Sequence, residues 1–186
     1  MRLLAVALAW MAFASGFQQP PRFLAPQDQS LVSPGPLRIL AQGSGPLRLL
    51  RDGEVVPLTS PAAGVYFAEL SLSPGRHELQ LEAETGVARI QLFAGEDHPF
   101  WKRFRPHPPA ASCELCHALQ KNSWTLKRPG VPALCFHCHA RGRFPLTHTH
   151  NTDLLADCAL CHAPHGSAAV AFLTKPKETV CKQCHS

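Results

Sequence analysis

The sequence predicts an α+β chain in two unlike parts: a small all-β sandwich, then a region of short helices and irregular connections. Three observations predict it. Residues 36–95 hold no cysteine and alternate apolar with polar side chains in short runs roughly ten residues apart. Residues 113–186 hold all eight cysteines, in four repeats of one spacing. Residues 96–186 are rich in proline and carry few long apolar runs, too little to build an ordinary core.

In chain order, residues 1–16 read as a secretory signal peptide. Arg2 is the basic start, an apolar run from Leu3 to Phe13 follows, and Ala12-Phe13-Ala14 is a small-x-small cleavage site. That run is too short to span a bilayer, and no later run is long and apolar enough, so no transmembrane segment is expected after signal removal. Export to the periplasm or another extracytoplasmic surface is the expected location. It makes nucleic acid a poor partner despite the formal net charge of +5. Residues 17–35, rich in Pro and Gln, read as a linker or a first edge strand.

Residues 36–95 carry the sandwich pattern. Leu47 and Leu49 run into the hairpin signal Asp52-Gly53, and Val55 to Leu58 returns. Residues 65–70 form a strand. His77, Leu79 and Leu81 share one face against Glu78, Gln80 and Glu82 on the other, and Ala88, Ile90 and Leu92 make the next apolar face. His77 falls on the apolar phase and reads as a satisfied structural histidine. The stretch 73–86 resembles the closing hairpin of bacterial immunoglobulin-like modules, a resemblance that says nothing of a ligand. With no cysteine and no metal-ligand cluster, this unit is expected to dock rather than react, and to be separable from the rest. The basic, aromatic residues 96–112 join the two parts and are expected to pack on the first bound ring.

Residues 96–186 write Cys-x-x-Cys-His four times: Cys113/Cys116/His117, Cys135/Cys138/His139, Cys158/Cys161/His162 and Cys181/Cys184/His185. This is the attachment motif of c-type haem. Two thiols at this spacing reach the vinyl groups on one porphyrin edge, and the histidine that follows ligates the iron. Zinc ribbons and disulfides fit the cysteine spacing too, with 18, 19 and 19 residues between pairs. Neither asks for a histidine after every second cysteine. With 11 histidines in 186 residues, four such placements by chance run to about one in 100,000.

The spacing is also an internal repeat, 45 residues from Cys113 to Cys158 and 46 from Cys135 to Cys181. The region resembles the small multihaem c-type cytochromes, the class III and doubled CXXCH motif kind. His-Pro-Pro at 107–109 and Cys-His-x-Pro-His-Gly-Ser at 161–167 carry that likeness beyond the motifs. The resemblance implies four covalently bound haems c packed together as the core of a tetrahaem domain. It also implies one-electron transfer rather than catalysis.

The only methionines, Met1 and Met11, lie in the signal, so a His/Met iron is excluded. Distal ligands must come from the six other histidines of this half, and His107, His148, His150 and His165 are the candidates. His98 and His137 are weaker ones. Bis-histidine ligation throughout implies low potentials. His162 and His165, three apart, are expected on one helical turn bridging two irons; the first unit has Gln120 at the equivalent place. Expected partners are redox proteins, a donor and an acceptor, or a membrane or outer-membrane oxidoreductase on which the chain is a docked subunit. The competing class is a nitrite- or hydroxylamine-type haem reductase, which needs an iron with an open position.

Overall fold

The computed structural model describes residues 19–107, 113–128, 130–144, 150 and 156–185. The signal reading at 1–16 and the candidate His148 lie outside them. Strands form where the alternation predicts: β1 (Arg22–Ala25), β2 (Ser30–Val32), β3 (Gly35–Gln42), β4 (Arg48–Arg51), β5 (Glu54–Val56), β6 (Thr59–Ala62), β7 (Val65–Leu72), β8 (Gly75–Ala83) and β9 (Gly86–Ala94). Short strands follow: β10 (Lys102–Arg103), β11 (Arg105–Pro106), β12 (His117–Gln120), β13 (Ser123–Leu126) and β14 (Gly166–Ser167).

One sheet has the order β1-β3-β7-β6 and the other β10-β2-β9-β8-β4-β5. The first order is the A-B-E-D sheet of an immunoglobulin sandwich, and β9-β8-β4 supplies the opposing G-F-C strands. The N-terminal half is therefore immunoglobulin-like by strand order. Its β4–β5 hairpin turns at Asp52-Gly53, both with positive φ (52° and 89°), so that Arg51 faces Glu54. That turn suits the right-handed twist of the two strands.

The core fills from the predicted faces. Ile39, Ala41, Leu49, Leu79, Leu81 and Leu92 are fully buried, with Leu70 and Leu72 beside them. His77 is satisfied as expected: Nδ1 lies 2.8 Å from Asp52 Oδ2, and Nε2 lies 2.8 Å from the Ser73 carbonyl.

Three expectations change. The sandwich is larger than residues 36–95, because β1 and β2 enter its sheets and β10 pairs in parallel with β2, Lys102 facing Ser30. Part of the aromatic joint packs on the sandwich, while Phe100 stays exposed. Trp101 is buried, edge-on to Phe93 at 6.3 Å, with the Arg76 guanidinium 5.6 Å above its ring. Finally, the described residues are mostly β rather than α+β. The α-helix Lys177–Cys181 is only five residues long. The other motif turns are three-residue 3-10 turns, since a motif this short, flanked by loop residues, closes one turn and cannot propagate it. More strand appears in this half than predicted, as the β12–β13 hairpin and the β11–β14 ladder.

Candidate functional site

Each motif closes on itself in the same way. The N–H of the second cysteine donates to the carbonyl of the first, at 3.2 Å for Cys116, Cys138 and Cys161 and 3.3 Å for Cys184. In the last three motifs the histidine N–H donates to that same carbonyl: His139 at 3.0 Å, His162 at 2.9 Å and His185 at 3.0 Å. One tight turn thus gathers two thiols and an imidazole, the set that a c-type haem needs. Asp157 caps the third turn, accepting from Ala159 N–H at 2.9 Å. His117 departs from the pattern because it opens β12. There it pairs with Leu126, and its ring stands edge-on to Trp124 at 5.1 Å.

The fold then brings motif histidines up to other histidines. The His107 ring centroid is 5.9 Å from that of His139, 16° from parallel. His165 is 6.2 Å from His117 at 21°, and His150 is 5.7 Å from His185 at 21°. Offset-stacked rings also fall in this range. But two imidazoles sharing a first-row metal ion, each bond ~2.0–2.1 Å long, place their ring centres ~6 Å apart. The three pairs have a common membership. Each joins one motif histidine to one of the histidines that the sequence offers as a distal ligand.

Backbone carbonyls orient two of the imidazoles. His107 Nδ1 donates to the Pro164 carbonyl at 3.1 Å and His162 Nδ1 to the Ala171 carbonyl at 2.8 Å. A carbonyl acceptor on Nδ1 is the usual second-sphere arrangement of a metal-bound imidazole. Nδ1 of His117 is buried with no hydrogen bond of normal geometry. Burial lowers the pKa of His165, helped by the neighbouring His117 and His107, and burial likewise lowers that of His117 against the opposing Thr125 backbone. Both rings are kept neutral, which is the ligating form. Burial also pushes the Cys135 thiol up to about 11, with Cys158 beside it, and raises Cys161 near Cys184 and Cys181. Among the described residues, no three His, Cys, Asp or Glu side chains converge as metal ligands, and all eight cysteines are free.

The helical turn expected to carry both His162 and His165 is not there. His162 forms an isolated bridge with Leu173, and Ala163-Pro164 turns the chain so that Gly166 N–H reaches the Ala163 carbonyl at 3.2 Å. Pro164 removes a donor that a helix would use. His98 takes a different part, its Nδ1 accepting from the N–H groups of Phe100 and Trp101, both at 3.2 Å. His137 lies 3.1 Å from an Arg128 nitrogen.

Sequence reasoning missed Phe172, whose ring is 5.2 Å from that of His107, together with Trp124 and the carbonyls of Pro164 and Ala171. Carbonyl acceptors have no residue signature. Only the string at 161–167 pointed to that stretch.

Residues 152–186 match the family described as doubled CXXCH motif, which spans the third and fourth motifs. No curated protein matches the chain. Solved structures resemble its N-terminal half at low similarity. An FMN-binding β-glucuronidase from Facaelibacterium prausnitzii is 17% identical, with a TM-score of 0.39, over 46% of this chain and 13% of that one. The Clostridium thermocellum CbhA fibronectin(III)-like modules are 20% identical, with a TM-score of 0.33, over 42% of this chain and 100% of theirs. A C. elegans twitchin kinase fragment with immunoglobulin domains is 13% identical, with a TM-score of 0.29, over 42% and 22%. The chain thus spans about an eighth of the first of these (13%). The C-terminal region is of the multihaem c-type cytochrome kind, with covalently attached c-type haem as its cofactor. No helix among the described residues is long and apolar enough to cross a membrane.

Proposed function

We propose that this chain is an exported tetrahaem cytochrome c that passes single electrons between redox proteins. Four haems c, one per motif, are held by Cys113/Cys116, Cys135/Cys138, Cys158/Cys161 and Cys181/Cys184, with His117, His139, His162 and His185 as proximal ligands. Bound haem supplies reversible one-electron chemistry at iron. The chain's own residues bind the ring, fix the axial imidazoles and keep water from the metal. The observation that carries the reading is the three histidine pairs. They support His107 as distal partner at the His139 site, His165 at the His117 site and His150 at the His185 site. His148 is the remaining candidate for the His162 site. Imidazole on both sides of an iron favours low potential and leaves no position for a substrate, which weighs against the reductase reading. Donor and acceptor are proposed to be proteins, a membrane or outer-membrane oxidoreductase among them.

The test is stoichiometry. Protein matured with a haem-ligation system and assayed as pyridine haemochrome should carry four haems per chain and no zinc. Two or fewer on fully matured protein would remove the reading.

A further inference from the structure

The two halves touch where β12 meets β6, and they are hydrogen-bonded together at a seam that holds two of the paired histidines. Phe104 N–H donates to the Leu31 carbonyl at 2.8 Å, and the Phe104 ring packs against the sandwich core. The next two residues, β11, pair antiparallel with β14, Arg105 facing Ser167 and Pro106 facing Gly166. His107 comes next, its N–H 3.5 Å from the His165 carbonyl. Gln27, in the loop between β1 and β2, reaches across and donates from Nε2 to the Gly166 carbonyl at 2.7 Å. Arg105 lies over the Phe172 ring at 4.8 Å and donates to the Ala169 carbonyl. Only three residues separate Arg103, a rung of the sandwich sheet, from His107.

Gly166 is the tightest point of this seam. Its φ is +124°, and a Cβ there would sit 2.6 Å from the Arg105 carbonyl oxygen and 2.6 Å from Phe104 Cζ. One of those atoms is backbone and the other belongs to a ring packed on the core, so neither can yield without opening the ladder. Gly166 is also the residue after His165 and faces the residue before His107.

We infer that the sandwich is a structural part of the haem unit, and that the seam centred on Gly166, pinned by Gln27, positions His107 and His165 together as the distal ligands of two different sites. This rests on the haem reading above and goes beyond it. It assigns the immunoglobulin-like half a role inside the redox unit, in place of a separable docking module, and makes Gly166 and Gln27 positioning residues. Two irons served from one ladder respond to one displacement. A load on the sandwich therefore reaches the His139 and His117 sites and spares the His185 site, whose partner His150 lies elsewhere in the chain.

The experiment uses the full chain, matured with haem, as the unaltered protein and as Gly166→Ala, Gln27→Leu, His107→Ala and His165→Ala. The two histidine variants each open one site and so supply its spectral signature. Gly166→Ala should keep its haems, because thioethers do not depend on the seam. It should show both signatures at once, with CO uptake of about two equivalents per chain after reduction against about none in the unaltered protein. Gln27→Leu keeps its bulk and loses only the hydrogen bond. It should shift the potentials of the same two sites in the same direction without opening either. If Gly166→Ala opens neither site, or only one, shared positioning is wrong. If Gly166→Ala does not accumulate, Gln27→Leu decides, and unchanged potentials at both sites overturn the inference. An unaltered protein without haem, or already open at these sites, would instead defeat the proposed function.

Discussion

Removing His107 isolates one site of the proposed set. The ring lies 5.9 Å from His139, its Nδ1 donates to the Pro164 carbonyl, and its edge meets Phe172 at 5.2 Å. In His107→Ala the hydrogen bond costs about 1 kcal/mol and the ring contact about another 1 kcal/mol. That is far short of unfolding a domain whose core lies elsewhere, and the thioethers to Cys135 and Cys138 stay. The larger effect is spectroscopic. One iron of four loses a strong-field ligand, so about a quarter of the low-spin signal should convert to high spin or bind CO. Redox titration should show one potential moving upward out of the low range. His98→Ala is the control. That imidazole accepts from Phe100 and Trp101, so its loss loosens the joint and opens no iron. A His107→Ala protein that stays wholly low-spin, or a His98→Ala protein that binds CO, would refute the pairing.

Other outcomes follow from the same geometry. His165→Ala should open the His117 site, whereas Gln120→Ala, at the end of β12 facing Ser123, should leave every spectrum unchanged. Leu79→Ala empties a fully buried position between the sheets and should cost about 3–5 kcal/mol by urea unfolding. Asp52 titrates low: burial raises its pKa, but the Glu78 N–H at 2.8 Å, His77 and Arg51 outweigh it. A depressed carboxylate contributes stability above its unfolded pKa and loses it as pH falls through the folded value. Asp52→Asn should therefore lower stability at neutral pH by about 1 kcal/mol, a discounted figure because the side chain is 45% exposed. The two proteins should converge in urea titrations as pH falls through the lowered pKa of folded Asp52.

Much of the fold was legible because period-two alternation has one physical cause. Leu79 and Leu81 on β8, and Ile90 and Leu92 on β9, are buried where the pattern puts them, and Asp52-Gly53 turns as its residue types demand. Strands without that signature were missed. β2, β10, β11 and β14 run two or three residues each and are made by long-range partners, Ser30 with Leu92 and Arg105 with Ser167. Of the two readings of residues 17–35, the edge strand holds, as β1, and the joint adds β10 at the other sheet's edge. At the site, the residues were legible because haem attachment writes its ligands in sequence. The partners were not, because His107 meets His139 and His165 meets His117 only after non-local pairing. A three-residue spacing suggested a helix at 162–165, and Pro164 forbade it.

Electron transfer without catalysis requires closed, bis-histidine iron. Its most direct test is the EPR and optical spectrum of the oxidised, fully matured protein, followed by CO addition after reduction. Low-spin signals alone, with no CO adduct, are predicted. A stoichiometric high-spin iron, or rapid CO binding at any site, would contradict it and favour an open catalytic haem.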